Sequence, residues 1–201
     1  MTIYVLRHAE KAKGDFHNPT LRHQDQPISE NGELQARRLV QYFEGKDIEA
    51  IYVSEYIRTK QTIAYAAEKL QLSPVIDGRL NELDNGDVDQ MTEDDLRVAY
   101  PDVWKAYVAR TADFRFPGGE TGEEAQMRIR TFLEEKTIEH AGKNFIVVCH
   151  DGLIRLMMCY IMGIPVYRRG DFKVDLCGIT EIAYQEDVQR WKLLRYNQVL
   201  G

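Results

Sequence analysis

The chain has 201 residues, and its 44% hydrophobic and 29% charged residues exclude a wholly disordered or collagen-like protein. A chain of this length can bury a sizeable core, and we expect a single domain over residues 1–201. Its 26 basic and 32 acidic residues give a net charge of −6, which argues against nucleic acid or a membrane surface as a partner. The beginning of the chain lacks the features of a signal peptide, and its cysteines show no CxxC pair. We therefore expect a cytoplasmic protein with buried thiols at Cys149, Cys159 and Cys177.

In chain order, short apolar runs that are typical of strands alternate with longer segments that are typical of helices. The predicted strands are residues 2–6, 48–53, 144–149, 179–184 and 191–195, the last two as a hairpin. The predicted helices are residues 29–43 with Ser29 as the N-cap, 56–70, 93–100, 121–140 and 153–162. Strands that alternate with helices predict a three-layer α/β/α fold, with a mainly parallel central sheet and helices on both faces.

Polar residues follow three of the predicted strands at the point where each strand ends. Arg7 and His8 come after the first strand, and Ser54 comes after the second. His150 comes after the third of these strands. Because ligands bind at the carboxyl ends of parallel strands, these side chains are expected to share a site. Arg58, in the first turn of the next helix, would add a cation where anions bind readily. Taken singly, each residue is better explained by an ordinary structural role, so only their combination indicates a function.

Six short motifs follow one another along nearly the whole chain. They are LRHAE at 6–10, ISENGELQA at 28–36, SEYIRTKQT at 54–62, LNE at 80–82, PGGET at 117–121 and HDG at 150–152. In this order they resemble the motifs of the histidine phosphatase superfamily, the phosphoglycerate mutase-like proteins. The resemblance implies the phosphoglycerate mutase-like fold and a metal-independent phosphomonoester hydrolase that acts through a phosphohistidine. It also implies no cofactor and a small phosphorylated metabolite as the substrate.

The resemblance assigns a role to each of five residues. His8 would attack phosphorus as a neutral imidazole and become phosphorylated. Arg7, Arg58 and a protonated His150 would bind the phosphoryl oxygens in place of a metal ion. Glu82 would protonate the leaving alkoxide and then activate the water that hydrolyses the phosphohistidine. For the first of these tasks, partial burial should raise the pKa of Glu82.

Two residues depart from the family pattern, because Ala9 and Asp151 stand where glycine is usual. Asp151 belongs with the substrate-binding residues by its position beside the phosphate site. Its carboxylate could repel the substrate, orient a histidine, or turn away to serve as the N-cap of the following helix. We expect the capping role.

Two loops are candidates for contacts with the rest of the substrate. The loop after His8 carries basic residues that could hold an anionic substrate or simply be solvated: Lys11, Lys13, His17, Arg22 and His23. Residues 84–120 are expected to form a lid or specificity insertion. Its aromatic residues would form either a small core or a binding surface: Tyr100, Trp104, Tyr107, Phe114 and Phe116.

Three alternative functions remain open from the sequence. A phosphoglycerate mutase would transfer the phosphate within a sugar acid, although residues 11–27 lack the Asn- and Trp-containing stretch of the cofactor-dependent mutases. A catalytically weak phospho-ligand-binding module is the second alternative, because of Asp151. A metal hydrolase using His8, Glu10, His150 and Asp151 is the third, although no HxxxH or HxH spacing supports it. Both a monomer and a homodimer are compatible with the sequence.

Overall fold

The computed structural model describes residues 1–89 and 91–201. Its strands are β1 Thr2–Arg7, β2 Ile48–Val53, β3 Val75–Ile76, β4 Asn144–Cys149, β5 Ile179–Gln185 and β6 Arg190–Gln198. Its α-helices are α1 Glu30–Phe43, α2 Ile57–Leu70, α3 Glu93–Ala99, α4 Pro101–Ala109, α5 Gly122–Glu139 and α6 Asp151–Met162. The strands form one sheet in the order β3-β2-β4-β1-β5-β6. The pairs β1–β4, β2–β4 and β2–β3 are parallel, whereas β1–β5 and β5–β6 are antiparallel. The predicted α/β architecture with a mainly parallel sheet is therefore confirmed.

Alternate side chains of the central strands point to opposite faces of the sheet and pack against different helices. One core cluster joins strand residues to α1 and α2, and includes Tyr4, Leu6, Ile146, Val148, Leu39, Phe43 and Ile63. The other joins the intervening strand residues to α5 and α6, and includes Ile3, Val5, Phe145, Val147, Ile129, Phe132 and Leu153. None of the helices in the described part of the chain is long and apolar enough to cross a membrane.

The structure departs from the predicted elements in several places. The strand β6 ends at Gln198, three residues beyond the predicted strand. The strand β3 lay in a predicted loop, because two exposed residues carry no recognisable periodicity. The helix α4 was not predicted, although Pro101 occupies its first turn, where proline is well tolerated. The helix α6 begins at Asp151, two residues earlier than expected.

The segment 84–120 has its own small hydrophobic cluster. Val88, Leu96 and Phe116 form its buried part, and the aromatic residues that pack around them are Tyr100, Trp104, Tyr107 and Phe114. The rings of Phe114 and Phe116 meet edge to face, with centroids 4.9 Å apart. Of the two interpretations of these aromatic residues, the small core therefore describes their main contacts.

Candidate active site

The carboxyl ends of β1, β2 and β4 meet at one edge of the sheet and bring three separate segments together. The backbone amide of His8 donates to the carbonyl of Cys149 at 3.0 Å, which fixes the end of β1 against the end of β4. The rings of His8 and His150 then lie 5.2 Å apart, centroid to centroid. Arg58 reaches the same place from the start of α2, with Nη2 3.3 Å from Nδ1 of His150. The structure thus brings the two histidines and Arg58 into contact, as predicted.

The imidazole of His8 is held in one orientation and is uncharged. Its Nδ1 lies 2.7 Å from the carbonyl oxygen of Ala9, and a proton on Nδ1 donates this hydrogen bond. The lone pair of the ring is then carried by Nε2. Burial, and next the charge of Arg58, lower the pKa of His8 from 6.5 to about 3. At neutral pH His8 therefore has the protonation state that a nitrogen nucleophile needs.

Two guanidinium groups face this histidine pair with part of their hydrogen-bonding capacity unused. Arg7 donates from Nη1 to the carbonyl of Val174 at 2.6 Å, and Arg58 donates from Nη1 to the carbonyl of Gln24 at 3.1 Å. The Nε atoms of Arg7 and Arg58 are buried and have no hydrogen-bond partner among the described residues. A buried donor of this kind is unfavourable unless a ligand completes it, and oxyanions suit a guanidinium best.

His150 is fully buried and is also uncharged in this structure. Its Nε2 lies 2.8 Å from the hydroxyl oxygen of Ser54, and its Nδ1 accepts from Arg58. Burial, followed by the nearby charge of Arg58, lowers the pKa of His150 well below its ordinary value. A protonated His150 during phosphate binding, which the family resemblance implies, stays a prediction. Ser54, which the sequence marked only as a strand end, is the hydroxyl group that orients this ring.

Glu82 follows a short 3-10 turn, and its carboxylate lies at the N-terminus of α6. Its Oε1 accepts from the amides of Leu83 at 2.8 Å and Leu153 at 3.2 Å, and its Oε2 accepts from Gly152 at 3.4 Å. Burial raises the pKa of Glu82, the charge of Asp151 adds to this, and the backbone hydrogen bonds oppose it. A Cβ on Gly152 would lie 2.9 Å from Oε1, so glycine leaves the space for this approach. The contacts of Glu82 with Gly152 and Leu153 join residues 70 and 71 positions apart, so no local sequence pattern predicts them.

The expected role of Asp151 as a helix cap is wrong. His150 occupies the cap position of α6, and Asp151 is the first residue of the helix itself. From there the Asp151 carboxylate binds Arg155 one turn later, with oxygen–nitrogen distances of 2.6 and 3.1 Å. Its Oδ2 also lies 3.8 Å from Nη1 of Arg7. The Asp151 carboxylate therefore turns toward Arg155 and Arg7 rather than toward the first backbone amides of α6.

The loop after His8 is attached to the segment 84–120 by two of its basic residues. Arg22 donates to the carboxylate of Asp84 at 3.2 Å and to the carbonyl of Gly118 at 2.7 Å. His23 pairs with Asp89, with Nδ1 and Oδ2 2.9 Å apart. These two residues thus hold the loops together beside the site.

The geometry does not assemble the metal site considered from the sequence. The carboxylate of Glu10 accepts hydrogen bonds from Ser29 at 2.7 Å and Asn31 at 3.0 Å, at the start of α1. Within residues 1–89 and 91–201, no group of three or more His, Cys, Asp or Glu side chains is arranged to hold a metal ion.

A cavity of about 470 Å³ opens beside the candidate catalytic residues, between α6 and the segment 84–120. Residues that line it include Glu82, Asp151, Arg155, Tyr107, Phe114 and Arg169. Glu82 and Asp151 line this cavity, so it adjoins the site on the side of these two carboxyl groups and offers room for an organic group.

Comparison with known proteins identifies the family. A family model, the histidine phosphatase superfamily (branch 1), matches residues 3–199. The chain belongs to the histidine phosphatase superfamily. Phosphoserine phosphatase 1 of Hydrogenobacter thermophilus is 29% identical over 187 residues, which cover 92% of this chain and 87% of that protein. Probable phosphoglycerate mutase GpmB of an Enterobacter species is 27% identical over 186 residues, covering 92% of this chain and 86% of that one.

Solved structures of two phosphatases share the fold of this chain over nearly its whole length. The α-ribazole phosphatase of Shigella flexneri superposes with a TM-score of 0.81 at 21% identity, over 100% of this chain and 98% of that chain. A mycobacterial glucosyl-3-phosphoglycerate phosphatase also gives 0.81, at 22% identity and 98% coverage of both chains. The phosphoglycerate mutase-like fold expected from the motifs is therefore confirmed, and an enzyme of phosphatase or mutase type is supported.

Proposed function

We propose that this protein is a metal-independent phosphomonoester hydrolase that acts through a phosphohistidine formed on His8. The observation that carries the proposal is the state of His8, which is neutral and oriented by Ala9 through Nδ1. It lies near Arg7 and Arg58, whose buried Nε atoms have no hydrogen-bond partner in the described part of the chain. Neutrality leaves Nε2 nucleophilic, and the guanidinium groups supply positive charge where phosphoryl oxygens would lie.

In the first step, Nε2 of His8 attacks phosphorus, and the bond from phosphorus to the ester oxygen breaks. Arg7 and Arg58 hold the phosphoryl oxygens through the transition state. A phosphoryl dianion in the site would raise the pKa of His150. Once Arg58 donates to the phosphoryl oxygens instead of to Nδ1 of His150, a proton on Nδ1 would turn this nitrogen into a third donor. Glu82, whose pKa is raised by burial, gives its proton to the departing alkoxide.

In the second step, the Glu82 carboxylate accepts a proton from a water molecule that attacks the phosphohistidine. The phosphorus–nitrogen bond breaks, inorganic phosphate leaves, and both His8 and the protonated Glu82 are restored. Residues 84–120 would act as a lid and specificity insertion within a single domain over residues 1–201. Their attachment to the first loop through Arg22 and His23 supports that role.

A phosphoglycerate mutase remains the second candidate, because curated relatives that match most of this chain carry that name. It would use the same phosphohistidine but return the phosphate to another hydroxyl of a sugar acid. Both candidates take a small phosphorylated metabolite as the substrate, and the proposed hydrolase needs no cofactor.

Trapping the covalent intermediate tests the proposal. We expect the wild-type protein, mixed with a labelled phosphomonoester and quenched, to carry an acid-labile phosphate and to release phosphate to water at steady state. We expect His8→Ala to keep its fold by circular dichroism and to lose both signals. Wild-type rates in His8→Ala would contradict the mechanism, whereas transfer to a second hydroxyl in place of release would favour the mutase.

A further inference from the structure

The carboxylate of Asp151 lies at the junction between the phosphate-binding groups and the neighbouring cavity. On one side its Oδ2 is 3.8 Å from a guanidinium nitrogen of Arg7. On the other side the same residue lines the cavity together with Glu82. In the proposed reaction the ester oxygen receives its proton from Glu82. The first carbons of the alcohol would therefore lie next to Asp151.

The ion pair with Arg155 fixes this carboxylate in place without hiding it. Arg155 donates from Nε and Nη2 to the two carboxylate oxygens, at 2.6 and 3.1 Å. The two side chains nevertheless keep 27% and 29% of their surface exposed. Since the pair is partly solvated, its charges are only partly cancelled for a molecule that enters the cavity.

The other arginines that line the cavity, Arg169 and Arg110, contact groups of the protein itself. Arg169 donates to the carboxylate of Asp113 at 3.4 Å and to the carbonyl of Val166 at 3.3 Å. Arg110 packs its guanidinium against Gly170. The positive charges that act on His8 are those of Arg58, Arg7 and Lys11, and the carboxylate of Asp151 lies between this group and the cavity.

We propose that Asp151, held by Arg155, is a specificity-determining residue that selects phosphate esters of neutral or amino alcohols over phosphate esters of hydroxy acids. The inference rests on the proposed function, because it assigns the alcohol to this side of Glu82. A carboxylate close to the ester bond would lie on the same side of the site as the Asp151 carboxylate. In a partly solvated cavity, repulsion between two such charges corresponds to about a tenfold loss of affinity.

Two pairs of substrates that differ in one carboxylate test this selection. Glycerol 3-phosphate is paired with 3-phosphoglycerate, and phosphoethanolamine is paired with O-phosphoserine. The ratio of kcat/KM within each pair is measured for the wild type, Asp151→Asn and Arg155→Gln. We expect Asp151→Asn to shift both ratios about tenfold toward the carboxylated member. We expect Arg155→Gln to shift them the other way, because it leaves Asp151 without its counter-ion.

A ratio that stays within about twofold of the wild type in Asp151→Asn, while hydrolysis persists, overturns the inference. Asp151→Gly replaces the asparagine variant if thermal melting shows that the latter is unfolded. If the wild type hydrolyses none of the four esters, the proposed function fails separately. In that case the ratio of dissociation constants within each pair is measured by calorimetry. A shift of this ratio toward the carboxylated member in Asp151→Asn supports the inference, and an unchanged ratio overturns it.

Discussion

Replacing Glu82 with glutamine tests whether this carboxyl group is the general acid. The substitution keeps Oε1, which accepts from Leu83 and Leu153 at 2.8 and 3.2 Å. It replaces Oε2, whose hydrogen bond with Gly152 is the longer one at 3.4 Å, by an amide nitrogen. The transferable proton is therefore removed with little change of shape, and we expect the free energy of unfolding to change by about 1 kcal/mol.

The rate effect should depend on the leaving group. A positioned general acid typically accelerates a reaction about 10²–10⁴-fold, and an alkoxide needs that proton in order to leave. We expect Glu82→Gln to slow phosphorylation by an alkyl phosphate by about this factor, and phosphorylation by p-nitrophenyl phosphate less than about tenfold. The burst of phosphoenzyme, measured by rapid quench, isolates this step from the dephosphorylation that also uses Glu82. In the wild type, the alkyl phosphate burst should decline as pH rises through the raised pKa of Glu82.

Glu120→Gln is the matched control, because it removes another carboxylate close to Glu82. The Glu120 carboxylate already binds Arg128 at 2.7 Å and the amide of Asp84 at 2.9 Å, so it is committed to other partners. Equal slowing of the two bursts in Glu82→Gln, or a selective loss for the alkyl phosphate in Glu120→Gln, would refute the assignment of the acid.

Three further predictions concern the phosphate site. Arg58→Ala should weaken competition by vanadate about 100-fold, roughly 3 kcal/mol, because vanadate mimics the transition state that the guanidinium would hold; an unchanged inhibition constant would remove Arg58 from the site. Turnover by the wild type should persist in excess chelator, and a loss that a divalent metal restores would favour a metal hydrolase. Because the pKa of His8 is lowered from 6.5 to about 3, the folded state should lose stability as pH falls below 6.5. In urea denaturation between about pH 6 and pH 4, His8→Asn should reduce this slope by about 1.4 kcal/mol per pH unit, and equal slopes would contradict a buried neutral His8.

The sequence predicted those parts of the site that follow from local sequence pattern combined with the topology of the sheet. The strands β2 and β4 have the predicted bounds. Apart from its first residue β4 is a buried apolar run, whereas β2 is buried only over its last three residues. Since parallel strands end at one edge, His8 and His150 could be placed together without any knowledge of their contacts.

The sequence could not predict contacts that depend on distant backbone groups. The carbonyl of Val174 that orients Arg7 is 167 positions away in the chain. Asp151 and Gly152 indicated a turn before α6, since glycine disfavours a helix interior. In the structure Gly152 lies in the first turn of α6 instead. The amides of Gly152 and Leu153 donate to the carboxylate of Glu82, which fits into the space beside Gly152.

The order of charges along the site bears on the choice between hydrolase and mutase. A mutase must let one sugar acid bind so that either of two hydroxyls meets His8, and its carboxylate then enters the cavity beside Asp151. If Asp151 has the proposed role, Arg7 and Arg58 on one side and Asp151 on the other would favour a single orientation, with the phosphate toward His8 and an uncharged alcohol toward the cavity. A hydrolase needs no second orientation, because water receives the phosphate after the alcohol has left. The proposed role of Asp151 and the proposed hydrolase therefore require the same orientation of the substrate, whereas a mutase would require two.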